Sequence, residues 1–206
     1  MIRSPAWALL AAVAPISLSA AAAPVGDEIG LVRKHLLAVQ TMTAAFTQTD
    51  RNGKVVTGVL TLKKTGKIRF QYQKGVPILI VGDGKALTFI DYSVRQVQRW
   101  PIGSSQLGVL LDPTRDIGSV AHVVDSGDPR IVSLDATDPK HPEYGRINLV
   151  FTRDAAAPGG LRLQGWVALD SQNNRTTIRL SDQHFNAPVD DSTFRWNDPR
   201  PKSAKG

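Results

Sequence analysis

Histidine and cysteine are the residues that would reveal a metal site, and their distribution in this chain does not support one. The four histidines are scattered, and no two of them are four residues apart: His35, His122, His141 and His184. The chain has no cysteine, which excludes disulfides, thiol nucleophiles and Cys-based zinc sites. It therefore also lacks the cysteine that carries the acyl groups of a lipid-anchored lipoprotein. We expect no metal and no other cofactor.

The run Gly82-Asp83-Gly84-Lys85 is similar to part of a phosphate-binding loop. That loop requires a glycine five residues before its Gly-Lys pair and a serine or threonine after the pair. Leu79 and Ala86 occupy those two positions here. We interpret the run as a hairpin turn. The chain also contains no Gly-x-Ser-x-Gly sequence of the kind that presents a hydrolase serine.

Carboxylates are the remaining candidates for catalysis. Five aspartates lie at or near the ends of predicted strands: Asp83, Asp91, Asp125, Asp135 and Asp170. Two such groups separated by roughly 5 to 10 Å could act as the acid and base of a glycosidase. Solvated acids at turns are the alternative interpretation, and the sequence gives no distance between the groups.

The elements that would position these residues are mostly β-strands, and the stretch from Phe46 to Asp91 shows the pattern most clearly. In the segment 67–72 every second residue is apolar, which predicts a strand with one apolar face and one polar face. Turn signals separate the apolar runs: Asn52-Gly53, Thr65-Gly66, Lys74-Gly75 with Pro77, and Asp83-Gly84. Sequential strands joined by short turns usually pair as neighbours. We therefore predict a meander of four or five antiparallel strands.

Further strands and two helices are predicted outside the meander. Asp27 and Glu28 open an amphipathic helix, and a compact leucine cluster predicts a short helix within residues 104–111. The additional strands are expected near residues 41–50, 94–100, 121–124, 131–134, 147–151, 161–170 and 176–180. Residues 112–119 and 136–146 are expected to be loops, and Asn173-Asn174 a hairpin turn. Ten or eleven strands would close, or nearly close, into a barrel, and the helices would fill any gap.

The first 23 residues have the features of a secretory signal peptide. A short positive region at Arg3 precedes an apolar stretch, and small residues that permit cleavage follow at 19–23. Residues 24–206 would then form a single domain. The formal net charge of +7 favours acidic partners, anionic lipid surfaces or nucleic acid, and export makes nucleic acid the least suitable of the three.

Several segments resemble the LolA family of periplasmic carriers for outer-membrane lipoproteins, in the same order and at similar spacing. Early in the chain these are Phe46-Thr47-Gln48, the segment 58–64, the segment 67–72, the segment 80–87 and the segment 92–97. Later ones are the short helix at 107–111, the hairpin formed by 169–170 and 176–180, and the segment Phe194-Arg195-Trp196-Asn197-Asp198-Pro199. The resemblance covers nearly all of the mature chain.

The resemblance implies a mainly β fold, an unclosed antiparallel barrel with a helical lid over an apolar cavity for acyl chains. It implies a monomer that accepts lipoproteins from an ATP-driven inner-membrane complex and passes them to an outer-membrane receptor. From the alternation of the strands we expect the cavity to be lined by Leu60, Leu62, Ile68, Phe70, Tyr72, Leu79, Val81, Leu87 and Phe89. Movable lids would be formed by Ile29, Val32, Leu36 and Val39 and by Leu107, Leu110 and Leu111.

A cationic cluster is the last expected site, serving as a lid latch or for partner docking: Lys63, Lys64, Lys67 and Arg69. Where the family commonly has Arg-Pro-Gly, with an arginine associated with lid closure, this chain has Lys64-Thr65-Gly66. A lysine keeps the charge but loses the bidentate fork of a guanidinium, which makes Arg69 the nearest substitute.

Three classes of function stay open at this stage. The first is the lipoprotein carrier. The second is a periplasmic domain of the same architecture that senses lipids or lipopeptides. The third is a secreted glycan-acting enzyme that uses strand-end carboxylates. The apolar alternation itself is equally typical of an ordinary packed core, so only the structure can show whether a cavity exists.

Overall fold

A single antiparallel sheet of eleven strands forms the framework of the protein. The computed structural model describes residues 26–105, 107–112 and 116–201, so the predicted signal segment lies outside the described residues. The strands are β1 (Thr41–Thr49), β2 (Val55–Lys63), β3 (Lys67–Tyr72), β4 (Ile78–Asp83), β5 (Ala86–Asp91), β6 (Gln96–Pro101), β7 (Ala121–Val124), β8 (Ile131–Thr137), β9 (Arg146–Arg153), β10 (Leu161–Leu169) and β11 (Arg175–Phe185). The helices are α1 (Gly26–Ala38) and α2 (Gly108–Leu111).

The order of strands in the sheet is β6-β5-β4-β3-β2-β1-β11-β10-β9-β8-β7, so β6 and β7 are the two edges. The sheet is therefore an unclosed antiparallel barrel, and the predicted fold class is confirmed. The predicted meander is confirmed as well, since β1 to β5 are sequential neighbours. The chain between the two edge strands carries α2 and buries apolar side chains in the core: Ile102, Val109, Leu110, Leu111 and Ile117.

The short helix is the element that the sequence predicted least well. The helix was predicted within 104–111, but Ser104 belongs to a 3-10 turn at Ile102–Ser104, and α2 begins only at Gly108. Its N-cap is Leu107, whose side chain makes no capping hydrogen bond. The helix is accordingly a single turn held by the burial of its own apolar residues.

Tight turns with aspartate caps define one end of the barrel. Asp50 accepts hydrogen bonds from the backbone N–H groups of Asn52 (2.8 Å) and Lys54 (3.0 Å) in the β1–β2 turn. Asp170 makes the same arrangement with Gln172 and Asn174 in the β10–β11 turn. We call this the hairpin end; it also contains the turns at 73–77 and 92–95. The opposite end, which contains the last turn of α1 and the turn at 64–66, is called the helix end.

The concave face of the sheet is defined by its register. Phe46 lies opposite Gly58 on β2, and Leu60 lies opposite Phe70 on β3, so these side chains share one face. The ring of Phe46 covers Gly58, where an added Cβ would lie 2.6 Å from the ring atom Cε1. Only glycine leaves this space, and the contact brings the ring into the centre of the core.

Candidate binding site

A cavity of about 390 Å³ lies on the concave face at the hairpin end. Apolar side chains from both halves of the sheet and from the segment before α2 form most of its wall, and polar residues occur near the turns. Its lining is Gln48, Asp50, Lys54, Val56, Phe70, Tyr72, Val76, Ile78, Ile80, Phe89, Leu107, Trp166, Ala168, Thr176 and Ile178. Pockets of about 300–1,000 Å³ with mostly apolar walls are typical of small-molecule sites.

A cluster of aromatic rings forms the inner wall of this cavity. Phe70 packs edge-to-face on Phe46 and on Trp166, with ring centroids 5.4 and 6.1 Å apart. Phe46 also packs on Tyr72 at 5.2 Å. The Tyr72 hydroxyl donates a hydrogen bond of 2.7 Å to Gln48 Oε1, and burial raises the pKa of Tyr72 to about 12. The inner wall therefore carries no charge at neutral pH, as an apolar ligand requires.

Seven of the nine residues predicted to line the cavity lie on the concave face, but only some of them reach the open space. Phe70, Tyr72 and Phe89 contribute to the wall. Leu62 lines a separate, narrow gap of about 50 Å³ at the helix end. The other three are nearly inaccessible and fill the core between these two spaces: Leu60, Ile68 and Leu87. The acyl-binding role of the seven stays a prediction.

Leu79 and Val81 were predicted for the cavity and lie instead on the opposite, convex face. On β4, Ile80 pairs with Phe70 and Phe89, whereas Val81 pairs with Arg69. Leu79 and Val81 pack with Ile90 and with Phe194 of the C-terminal segment. Ile78 and Ile80 take their places in the cavity wall.

Both faces of β4 are apolar, and for this reason Leu79 and Val81 were predicted on the wrong face of the sheet. Four consecutive apolar residues at 78–81 give no alternation from which a face could be chosen. The register across the turn at 73–77 decides the orientation, and a shift of one residue exchanges the two faces. The signals that could have found the remaining wall residues were Val56, which is two alternation steps before Leu60, and the late strand segments at 166–168 and 176–178.

Helix α1 covers the concave face at the helix end. Val32 and Leu36 are buried in the main core, and Ile29 and Val39 pack against it while partly exposed. Leu36 and Val39 also line the narrow gap together with Leu110 and Leu111 of α2, while Leu107 lines the larger cavity. The predicted lid residues thus lie over the sheet, and their movement stays a prediction.

Contacts at both ends fix α1 in place. Arg153 on β9 donates to Glu28 at 3.0 Å near the start of the helix. Asn186 Nδ2 donates to the carbonyl of Ala38 at its last residue, 3.3 Å away. An added Cβ at Gly159 would lie 2.5 Å from His35 Cα, so this positive-φ glycine permits the close approach of the helix. These contacts hold α1 against the sheet.

His35 is the buried polar group of α1. It is 2% exposed, and its Nδ1 lies 2.6 Å from the carbonyl oxygen of Pro158, which requires Nδ1 to carry the proton. Its ring packs edge-to-face on Phe151 and Phe185. Burial lowers the pKa of His35 below its ordinary value of 6.5, and the nearby charge of Arg162 acts in the same direction.

This environment makes stability depend on pH. Below pH 6.5 the unfolded chain binds a proton at His35 that the folded chain does not, so stability falls as the pH decreases from 6.5 toward the lowered folded pKa. We expect the His35→Phe variant to lose less stability between pH 7 and pH 5 than the wild type, by up to about 1.4 kcal/mol per pH unit. Urea unfolding at each pH measures this. The carboxylates titrate in the same way in both proteins, so any difference in pH dependence reports His35. If stability changed with pH equally in both proteins, the assigned role of His35 would be contradicted.

The four cations predicted as a latch or docking site serve two different purposes. Lys64 Nζ donates to the carbonyl oxygen of Leu37 at 2.5 Å and so caps the last turn of α1. Lys63 and Lys67 instead form ion pairs with Asp191, at 2.7 and 3.0 Å. Arg69 donates to the carbonyl oxygens of residues 193 and 195. The suggestion that Arg69 replaces the family arginine at the lid is therefore wrong, because Arg69 lies on the convex face and holds the C-terminal segment.

The strand-end carboxylates mostly stabilise their own turns. Asp83, Asp91 and Asp125 each accept a hydrogen bond from a backbone N–H two residues later, as Asp170 does. Asp135 is half-buried within β8. Hydrogen bonds from Ser93 lower the pKa of Asp91, and hydrogen bonds from Asn174 lower that of Asp170. A general acid needs a raised pKa, so these two groups have the opposite property.

The structure gives no support to a metal site or a membrane span in the part of the chain it describes. No group of three or more His, Cys, Asp or Glu side chains within residues 26–105, 107–112 and 116–201 could hold a metal ion. His141 stacks on Tyr144, while His122 and His184 are exposed. None of the described helices is long and apolar enough to cross a membrane.

An open antiparallel sheet, curved around an apolar cavity and covered by short helices, defines a class of single-sheet proteins with an internal ligand space. A family model described as "Outer membrane lipoprotein carrier protein LolA" matches residues 38–197. The chain belongs to this family, and the resemblance found in its sequence is confirmed.

Individual relatives agree with this assignment. The outer-membrane lipoprotein carrier protein of Chromobacterium violaceum is 28% identical over 204 residues, which cover 95% of each chain. The protein of the same name from Dechloromonas aromatica is 29% identical over 172 residues, 78% of each chain. Among solved structures, the MucA/MucB complex of Pseudomonas aeruginosa matches with a TM-score of 0.50 at 16% identity, over 84% of this chain and 62% of that one. This last likeness concerns the fold alone.

Proposed function

We propose that this protein is a periplasmic carrier that shelters the acyl chains of lipoproteins on their way from the inner to the outer membrane. The observation that supports this most directly is the apolar cavity of about 390 Å³ at the hairpin end in a member of the LolA family. In this proposal the protein catalyses no reaction. An ATP-driven inner-membrane complex loads it, and an outer-membrane receptor unloads it.

The energetics of acyl transfer explain why such partners are needed. Removing an acyl chain from water gains about 0.8 kcal/mol per CH₂, so a chain of about 16 carbons gains on the order of 12 kcal/mol. Release into water is therefore far too slow to be useful. A bilayer or a second protein cavity offers a similar gain, so transfer between them needs only a small difference in free energy.

The filled centre of the concave face limits where the cargo can lie. Leu60 and Ile68 are fully buried between the cavity and the gap at the helix end. An acyl chain would enter from the hairpin end and reach the aromatic wall at Phe70 and Trp166. A longer cargo would require the segment around α2 to move away from the sheet.

Filling the cavity tests this assignment. Ala168 lines the wall and is half-buried, so the Ala168→Trp variant places a large ring in the open space without removing a core contact. We expect its Kd for a triacylated lipopeptide to rise at least tenfold. Val59, which is 51% exposed on the convex face, provides the matched control, and Val59→Trp should bind like the wild type. Unchanged binding by folded Ala168→Trp would contradict the assignment.

A transfer assay separates a carrier from a sensor of the same architecture. The loaded protein is mixed with acceptor vesicles bearing an outer-membrane receptor, and the lipopeptide is followed to the vesicles. A carrier delivers its cargo in this assay, whereas a sensor retains it. Retention by a protein that binds the lipopeptide tightly would leave the cavity assignment intact and overturn the carrier role.

A further inference from the structure

A groove of about 410 Å³ lies on the convex face, over β10 and its two neighbours in the sheet, β9 and β11. It is created by an irregularity in β10, whose register with β9 shifts between Leu163 and Gly165. An added Cβ at Gly165 would collide with the carbonyl oxygen of Ile178, so the floor of the groove carries no side chain there. This space is separate from the proposed acyl cavity, because it lies on the other side of the sheet.

The groove combines an apolar floor with two cations. Val150 and Val167 are half-buried in it, and Thr177 lies opposite Val167 on β11. Arg175 and Arg179 project from β11 on either side of Thr177, and both are exposed. Four residues of extended strand separate these arginines by about 13 Å.

Neither arginine takes part in an ion pair of the described residues. The five adjacent strands β2, β1, β11, β10 and β9 contain a single carboxylate, Asp182. The ion pairs of the described residues involve other arginines, at positions 99, 130, 153, 162 and 200. A third arginine, Arg146 on β9, lies in the same cross-strand row as Arg175. Positive charge is thus concentrated on this face, whereas Lys63 and Lys67 are already paired with Asp191.

We propose that this groove docks an extended acidic segment of a partner protein. The segment would present two carboxylates four residues apart to Arg175 and Arg179 and an apolar side chain between them to Val150 and Val167. The spacing fits because alternate residues of an extended peptide point to the same side, with about 3.4 Å per residue. Guanidinium groups bind carboxylates through two parallel hydrogen bonds. Such a contact fixes the relative orientation of the two groups and also pairs their charges. The recess with an apolar floor favours an inserted side chain over a flat lipid surface.

A synthetic peptide tests the proposal on the full chain. The probe is Ac-Thr-Asp-Thr-Leu-Thr-Asp-Thr-NH2, and its control carries asparagine in place of both aspartates. We expect the acidic probe to shift the amide resonances of Val150, Val167 and Thr177, and this binding to weaken with rising salt. The asparagine peptide should bind at least tenfold more weakly. Equal binding of the two peptides, or no binding of the acidic one, overturns the proposal.

Charge reversal provides the second part of the test. The double variant Arg175→Glu, Arg179→Glu should lose at least tenfold in affinity for the acidic peptide. The matched control is Arg33→Glu, Lys34→Glu, which makes the same change in net charge at two exposed positions of α1 and should retain the affinity. An equal loss in both variants would mean that only total charge matters and would overturn the proposal. Binding to phosphatidylglycerol vesicles without binding to the peptide would overturn it in favour of a membrane contact.

Discussion

Replacement of Phe46 by alanine is expected to lower the free energy of unfolding by about 3–5 kcal/mol. Phe46 is 2% exposed and packs edge-to-face on both Phe70 and Tyr72. Its ring also fills the space over Gly58, which has no side chain with which to close the gap. The substitution would thus remove a large apolar side chain and leave a cavity that its neighbours cannot fill.

Urea unfolding followed by tryptophan fluorescence measures this loss, with Val59→Ala as control. Val59 is half-exposed on the same sheet, so its truncation should change stability by no more than about 0.5 kcal/mol. The denaturant slope should stay the same in all three proteins if unfolding remains two-state. A loss below about 1 kcal/mol for Phe46→Ala would show that the aromatic wall is loosely packed and that the cavity boundary is wrong.

Replacement of Phe194 by alanine is expected to lower stability by about 3 kcal/mol, although Phe194 lies far along the chain from the strands it covers. Its ring is 7% exposed and packs with Leu79, Val81 and Ile90 on the convex face. The Lys67 ammonium lies 5.9 Å from the ring centroid and adds a cation–π contact. Loss of the ring would expose the apolar convex side of β4.

The consequence for β4 can be observed directly. Besides a lower unfolding midpoint, Phe194→Ala should bind an apolar fluorescent dye more strongly than the wild type under native conditions. Val94→Ala is the control, since Val94 is 66% exposed and covers nothing in the core. Wild-type stability in Phe194→Ala would indicate that the C-terminal segment is not required to cover this face, contrary to its packing here.

The C-terminal segment also changes the role assigned to the basic strand residues. Lys63 and Lys67 are bound to Asp191, and Arg69 is bound to backbone carbonyls of that segment. Their charges serve mainly to hold the segment against the sheet. The proposed docking of an acidic segment therefore involves Arg175 and Arg179, which make no ion pair with the described residues.

Period-two alternation predicted the meander, most clearly in β3, where Ile68, Phe70 and Tyr72 are buried and the residues between them are more exposed. Both β4 and β5 carry apolar residues on the convex face as well. The turns were equally predictable, since Asp50 and Asp170 fix their hairpins through local hydrogen bonds. Local chemistry of this kind is encoded within a few residues. The family resemblance implied that the barrel is unclosed, whereas the strand count left open whether the barrel closes fully or nearly.

The residue pattern alone predicted ten or eleven strands, their order in the meander and which residues of β2, β3 and β5 face the concave side. The orientation of β4, the division of the concave face into a filled centre and an open hairpin end, and the partners of Lys64 and Arg69 became visible only in the folded chain. Alternation and turns depend on neighbours along the chain. The other features depend on contacts between separate elements, from Lys64 and Leu37, 27 residues apart, to Arg69 and Thr193, 124 residues apart, and these contacts follow from packing that no local pattern records.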